Sequence, residues 1–378
     1  MIFHIWKFIL LSTILFSAYC SGLIVLKIAR FNQIPIIRQF INLLSISLGL
    51  GVLAYSTLLI GLLGWLHSIV IYGIIIFYIL LGIYYVESYK IIYILYIRLK
   101  DIVGSISQMN WFIRLLIIFL LILIFNNIIG SLAPPLGVDD IKYHFAIPKR
   151  YLNAGIITYI PDFGWSNLPF TMEMLWTLAM AVDSAELAQL LNASIGIIII
   201  FFIYSFGRNL HLTREFSIIS VLLFYSITSV TYSSQSGNVE LGATLFFISG
   251  AYILITSRAI QDSSGPIILA AIFFGLFSST KSLYISFALM FTIFIVIREW
   301  KQNKSLIYGL KNSILFGSII LVVSGVWYLK SFIYTGNPIY PLFTSIFGVP
   351  LINNDLLYEK LLFEKREYLH LSQFPKTV

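Results

Sequence analysis

Long stretches of aliphatic and aromatic residues without a single charge constrain this chain more than any other feature. "FILLSTILFSAYCSGLIVL" and "NSILFGSIILVVSGVWYL" are two of several. Each is about 17 to 25 residues long, the length a helix needs to cross a hydrocarbon core of ~30 Å. With a mean hydropathy of +0.93 and only 11% charged residues, the bilayer is the solvent for which this sequence is written. No hydrophilic stretch is long enough for an attached soluble domain of ordinary size. The formal charge of +8 is not gathered into a contiguous basic run, so it does not point to nucleic acid. The one cysteine, Cys20, excludes an internal disulfide framework. It also lies inside an apolar run, preceded by Tyr19 where a lipoprotein signal needs a small residue. The run continues through "SGLIVL" and reads as a first transmembrane helix.

The expected fold is therefore all-α and polytopic, with about ten spans near 8–26, 40–64, 67–86, 115–133, 185–206, 215–233, 239–257, 266–280, 282–297 and 308–329. The basic residues then set the orientation. One set of connections holds Lys27, Arg30, Arg38, Lys90, Arg98, Lys100, Arg114, Arg208, Arg214, Arg258, Arg298, Lys301, Lys304 and Lys311. That is 14 of the 24 basic residues, against five acids (Glu87, Asp101, Glu215, Asp262 and Glu299). The opposite set has ten basic residues and eleven acids. The first set is expected in the cytoplasm. The loop 134–170, the turn "SSQSGNVE" (233–240) and the tail from "YTGNPIYPLF" onward then share the outer side.

The outer loop is where a charge-averse chain spends its charge. Leu132–Gly155 contains Asp139, Asp140, Lys142, His144, Lys149 and Arg150. Ile141 and Phe145 have helical spacing, as if lying on the membrane surface. Asp139 with Tyr143, and Asp140 with His144, project from another part of the same helix. Pro148 suits the first position of a second short helix, with Gly155 as its C-cap. An aspartate at a helix start is commonly an N-cap, but one cap accounts for only one of two carboxylates. Titratable groups converging on one place mark functional sites, so Asp139 leads the candidates. His144 is read evenly as a site residue or a headgroup contact. Asp183 and Glu186 have capping-box spacing before the helix at 185 and read as structural. Glu173, in the short apolar segment "TMEMLWTLAM", is left undecided. Glu240 stands at the mouth of a span, where an acid is functional or paired. Lys281 either snorkels or binds an anion. No phosphate-binding glycine loop, His-x-x-x-His pair or nucleophile elbow is present. The glycosylation-like "NAS" at 192 and "NKS" at 303 fall in a span and on the inner side.

"APPLGVDDIKYHFAIPKRYLNAG" resembles the first outer loop of the GT-C membrane glycosyltransferases, in the branch of the dolichyl-phosphate-mannose protein mannosyltransferases and bacterial family 39 enzymes. "NLPFTMEMLWTLAMAVDSAELAQLLNASIG", "SGNVELGATLFFISGAY", "GLFSSTKSLYISF" and "YTGNPIYPLF" are similar to later segments of that branch, which usually carries Asp where this chain has Glu240. The resemblance covers roughly Ile113 to Phe343. It implies a core at 111–345 with a catalytic loop at 134–170, preceded by extra helices and a cytoplasmic linker at 1–110. Residues 346–378 follow, as an outer amphipathic segment or the start of a longer outer region. The implied activity is inverting transfer of a sugar from a polyprenyl-phosphate donor to a glycan, lipid or protein acceptor, at the outer face of a bacterial or archaeal plasma membrane. By resemblance Asp139 is the base. Asp140 either orients it or binds a divalent metal together with Glu240. Lys149, Arg150 and Lys281 hold the lipid phosphate, and Tyr143 with His144 positions the sugar or phosphate. Carboxylates alone do not choose between a metal and basic side chains. The competing readings are a transporter or flippase for lipid-linked glycans and a noncatalytic relative.

Overall fold

The structure is a computed structural model that describes residues 2–86, 109–160, 164–257, 264–303, 305–340 and 342–348. The expectations for the linker 87–108, for Arg258, Asp262 and Lys304, and for the segment from 349 onward lie outside the described residues.

Every described element is helical. In chain order they are α1 (Ile2–Ile28), α2 (Pro35–Gln39), α3 (Ile41–Leu62), α4 (Ser68–Val86), α5 (Trp111–Ser131), a π-helical turn (Asp140–His144), α6 (Ala146–Ala154) and α7 (Thr171–Val182). Then follow α8 (Ala185–Asn209), α9 (Arg214–Tyr225), α10 (Thr228–Ser234), α11 (Glu240–Thr256), α12 (Gly265–Ser278), α13 (Ile285–Asn303), α14 (Leu306–Thr335) and α15 (Thr344–Phe347). Among the described residues, seven helices are long and apolar enough to cross a membrane: α1, α3, α4, α5, α8, α13 and α14. The count is eight if α9 and α10, bent by 69°, form one broken span. This is a multi-pass membrane protein. The expected spans 239–257 and 266–280 appear as α11 and α12, of 17 and 14 residues. At 1.5 Å per residue α12 rises only ~21 Å, short of a ~30 Å core. Polar residues at its end (Ser278, Ser279, Thr280) stop the apolar run early. The expected span 215–233 is interrupted at Ser226–Ile227.

Burial divides the helices by role. Of the seven long apolar helices, α8 is the most enclosed, with 78% of its apolar stretch buried, and α5 the most open, with 11%. α4, α13 and α14 also leave most of their apolar surface outward, as a lipid-facing rim must. α1 packs closely on α3 because both carry small residues one turn apart, Ala18 with Gly22 and Ser45 with Gly49. A Cβ on Gly49 would lie 1.6 Å from the Ala18 carbonyl oxygen, and one on Gly22 would lie 1.9 Å from that of Ser45.

The connections alternate between two ends of the bundle. At one end Lys7 meets Asp183, the Leu66 N–H donates to the Gly155 carbonyl (3.0 Å), and the Ile157 N–H donates to that of Gly61 (2.8 Å). At the other end Asn209 Nδ2 donates to the Tyr252 hydroxyl (3.2 Å), and Arg298 donates to the Leu254 carbonyl.

Candidate functional site

The site begins where two prolines deny the backbone a helix. After Pro134 and Pro135 the chain restarts at Val138 and immediately widens into a π turn, with the Phe145 N–H reaching back five residues to the Asp140 carbonyl (3.0 Å). Such turns recur at functional sites. The wider turn corrects the helical-spacing expectation for this loop. Ile141 is 60% exposed but Phe145 only 5%, so the two do not share one membrane-facing stripe. Pro148 is the third residue of α6, not the first, while Gly155 is the expected left-handed C-cap, at φ 69°.

The two aspartates stand side by side at the start of this turn, in different surroundings. Asp139 is exposed and makes no side-chain cap bond. Asp140 is 1% exposed. Its Oδ1 accepts from the Gly237 N–H (2.8 Å), while its buried Oδ2 has no hydrogen-bond partner among the described residues. Burial pushes the Asp140 carboxyl above the usual range, offset in part by the Gly237 N–H and by His144. His144, also 1% exposed, meets Glu173 through Nδ1–Oε1 at 2.8 Å, and Glu173 is equally buried. Tyr143 packs on the His144 ring, centroids 4.1 Å apart, and stacks on Trp165 at 6.2 Å. Burial, followed by the charges of Asp139, Glu173, Glu240 and Asp140, drives the Tyr143 hydroxyl well above its ordinary range.

Glu240, in the first turn of α11, forms an ion pair with Lys281. Burial works against the Lys281 charge, but the bond to Glu240 outweighs it and the ammonium is held above its usual range. The sequence offered Lys281 as snorkelling or binding an anion; the structure gives it a carboxylate. Lys149 lies in the wall of an open cleft of about 810 Å³, together with Asp140, His67, Ile141, Asp183 and Glu186. Asp139 is not in that wall. Arg150 is exposed on the same helix. Asp183 and Glu186 do not form the expected capping box: Ser184 is the N-cap of α8, and Lys7 of α1 pairs with both acids. The chain leaves α7 in an extended conformation at Ser184, which puts the N-cap one residue later than the spacing suggested.

A divalent ion bound by Asp140 and Glu240 finds little support in this donor set. Among the described residues no three His, Cys, Asp or Glu side chains gather closely enough to hold one. One oxygen of each carboxylate is already committed, to Gly237 and to Lys281. The chain matches no family model, no curated protein and no solved structure.

Sequence reasoning left Glu173 undecided and passed over Gly237, Trp176, His67 and Lys330. For Glu173 the signal was there: an ionisable residue in an otherwise apolar helix needs a partner. Lys330 carried the same signal. It is 5% exposed, and its Nζ donates to the Ser166 carbonyl (2.5 Å) with the rings of Tyr151, Trp327 and Tyr334 about it at 5.8–6.0 Å. This pins the turn at Gly164–Asn167 to α14. Gly237 acts through its backbone alone, which no residue-type pattern reveals.

Proposed function

We propose that this protein is an inverting glycosyltransferase that moves a sugar from a polyprenyl-phosphate carrier to an acceptor hydroxyl at the outer membrane face. The observation that carries the reading is Asp140: a buried carboxylate in the wall of a cleft, one oxygen fixed by the Gly237 amide and the other without a partner. A general base works best when its proton affinity lies near the working pH, and the burial of Asp140 moves it in that direction. The acceptor oxygen would attack the anomeric carbon as Asp140 Oδ2 takes its proton. The bond from that carbon to the carrier phosphate breaks, and its electron pair leaves with the phosphate. Lys149, in the same wall, would balance the charge growing there. The outer face is favoured by the distribution of basic residues. The exposed apolar surface of α4, α5, α13 and α14 suits a lipid-borne donor arriving from the bilayer.

A transporter of lipid-linked glycans has one observation behind it, the 69° break between α9 and α10. Transporters typically place paired discontinuous helices and their ionisable groups near the midplane. Here one helix pair is bent among the described residues, and the acids around Asp140 gather at one end of the bundle. Transfer from a panel of radiolabelled polyprenyl-phosphate sugars, in membranes carrying wild type, Asp140→Asn or Asp139→Asn, tests the proposal. Loss of about 10²–10⁴-fold in Asp140→Asn at equal protein level, with Asp139→Asn little affected, supports Asp140 as base. The reverse pattern moves the base to Asp139. No transfer with any donor, alongside outward movement of an intact lipid-linked glycan in vesicles, sinks the enzyme reading.

A further inference from the structure

Helix α7 is too short to span, yet ten of its twelve side chains are buried. It carries a carboxylate, Glu173, and an indole N–H, Trp176, inside an apolar core, where each is costly unless partnered. Three residues apart, the two project from neighbouring parts of one helix face. Both partners belong to the surroundings of Asp140. Glu173 Oε1 meets His144 Nδ1 at 2.8 Å, and His144 ends the π turn that Asp140 begins. Trp176 Nε1 donates to the Gly237 carbonyl at 2.8 Å, and the Gly237 N–H donates to Asp140 Oδ1 at 2.8 Å. The bonds close a ring: α7, His144, the π turn, Asp140, Gly237 and back to α7.

The helix itself is held still. The Thr171 N–H donates to the Ser279 carbonyl (3.2 Å) and its Oγ1 to Ser279 Oγ (2.7 Å), while Trp327 Nε1 donates to Thr171 Oγ1 (3.0 Å). The core packs around the remainder, with Met172, Met174, Leu175 and Leu178 fully buried.

We propose that Glu173 and Trp176 are positioning residues for Asp140, the first acting through His144 and the second through the Gly237 amide. The proposal rests on Asp140 being the base. The Thr177 hydroxyl, by contrast, bonds back within its own helix to the Glu173 carbonyl (2.7 Å). These two reach outward, and both reach the supports of one carboxylate.

The test uses the full chain in lipid nanodiscs, with Glu173→Gln and Trp176→Phe made in wild type and in Asp140→Asn. Two readouts are taken: steady-state transfer, and hydrogen exchange of peptides covering 137–146. Each variant is expected to lower kcat by about 10–100-fold, the scale of a slightly misplaced reacting group, with KM roughly unchanged. Neither is expected to cause further loss in the Asp140→Asn background. Exchange over 137–146 should quicken at an unchanged unfolding temperature. If Trp176→Phe does not fold, Glu173→Gln carries the test alone. Faster exchange in the two variants, in a protein whose wild type transfers no sugar, would overturn the glycosyltransferase reading and leave the bracing of Asp140 standing. Exchange that matches wild type, or an equal loss of transfer with Asp140 already removed, overturns the proposal.

Discussion

Asp139 and Asp140 are neighbours of identical chemistry, and the packing around the start of the π turn gives them opposite environments. Asp139 faces water, whereas Asp140 faces the Gly237 amide. Because burial, less the help of Gly237 and His144, raises the proton affinity of Asp140, the fold binds its proton more tightly than the unfolded chain does. The stability tied to this group is therefore fully present below the unfolded value of about 3.9 and lost as pH rises through the folded value. Asp140→Asn should thus unfold at a higher temperature than wild type at neutral pH, with the gain disappearing on acidification toward pH 4. Thermal scans in detergent across that range check it, and no gain at neutral pH would count against a strained, functional carboxylate. Gly237 offers a second residue-scale prediction. A Cβ there would sit 2.6 Å from Phe145 Cζ and 3.0 Å from Asp140 Oδ1. Gly237→Ala should therefore displace Asp140 and cut transfer by at least ~10-fold while the protein still folds. Full activity in that variant would show that the amide contact is incidental.

At the scale of elements, the close contact of α1 with α3 is the most exposed to mutation. Gly49→Ala must push the two backbones apart at Ala18, an overpacking cost of about 1–3 kcal/mol, seen as a lower unfolding temperature in detergent. Gly73, with no neighbour near its missing Cβ, serves as the control, and equal effects at both positions would refute the packing argument. α1 is also tied at its start by Lys7 to Asp183 and Glu186. Burial opposes the Asp183 charge, but the hydrogen bond and charge of Lys7 prevail and hold its carboxyl below the ordinary range. A lowered acid contributes stability above its unfolded value and loses it as pH falls through the folded one. Acidification below about pH 4 should loosen this joint, and Lys7→Met should remove that part of the acid sensitivity. Thermal scans of wild type and Lys7→Met in detergent across that pH range check it, and equal acid sensitivity in the two would refute the joint.

Across the described residues, the loops at 63–67, 134–160, 164–170, 233–240 and 279–281 gather at one end, while 29–34, 210–213 and the ends of α13 and α14 at 303 and 305 lie at the other. In a Cys20→Ser background, cysteines at exposed positions 139, 165 and 342 should react with a membrane-impermeant maleimide from one side. Those at 33, 211 and 300 should react only from the opposite side. Mixed labelling within either group would break the topology.

Much of this frame was legible in the residues. Apolar length marked the long helices, and the prolines, Gly155 and the clustered charge marked the loop in which the buried Asp140 and His144 lie. The unresolved part was depth and partnership. Sequence could not tell that 266–280 stops short of a full crossing, because a short apolar run reads alike in a buried helix and in a span. Nor could it tell which of Asp139 and Asp140 is buried, since adjacent residues of a helix point about 100° apart and packing alone decides which of them faces inward. Glu173, His144, Trp176 and Gly237 are distant in sequence, and their meeting depends on how α7 packs. Transfer of apolar groups out of water acts residue by residue, so sequence alone determined that this chain lives in a membrane as helices. Hydrogen bonds between buried polar groups act only at contact, so the tertiary structure decided which carboxylate is braced.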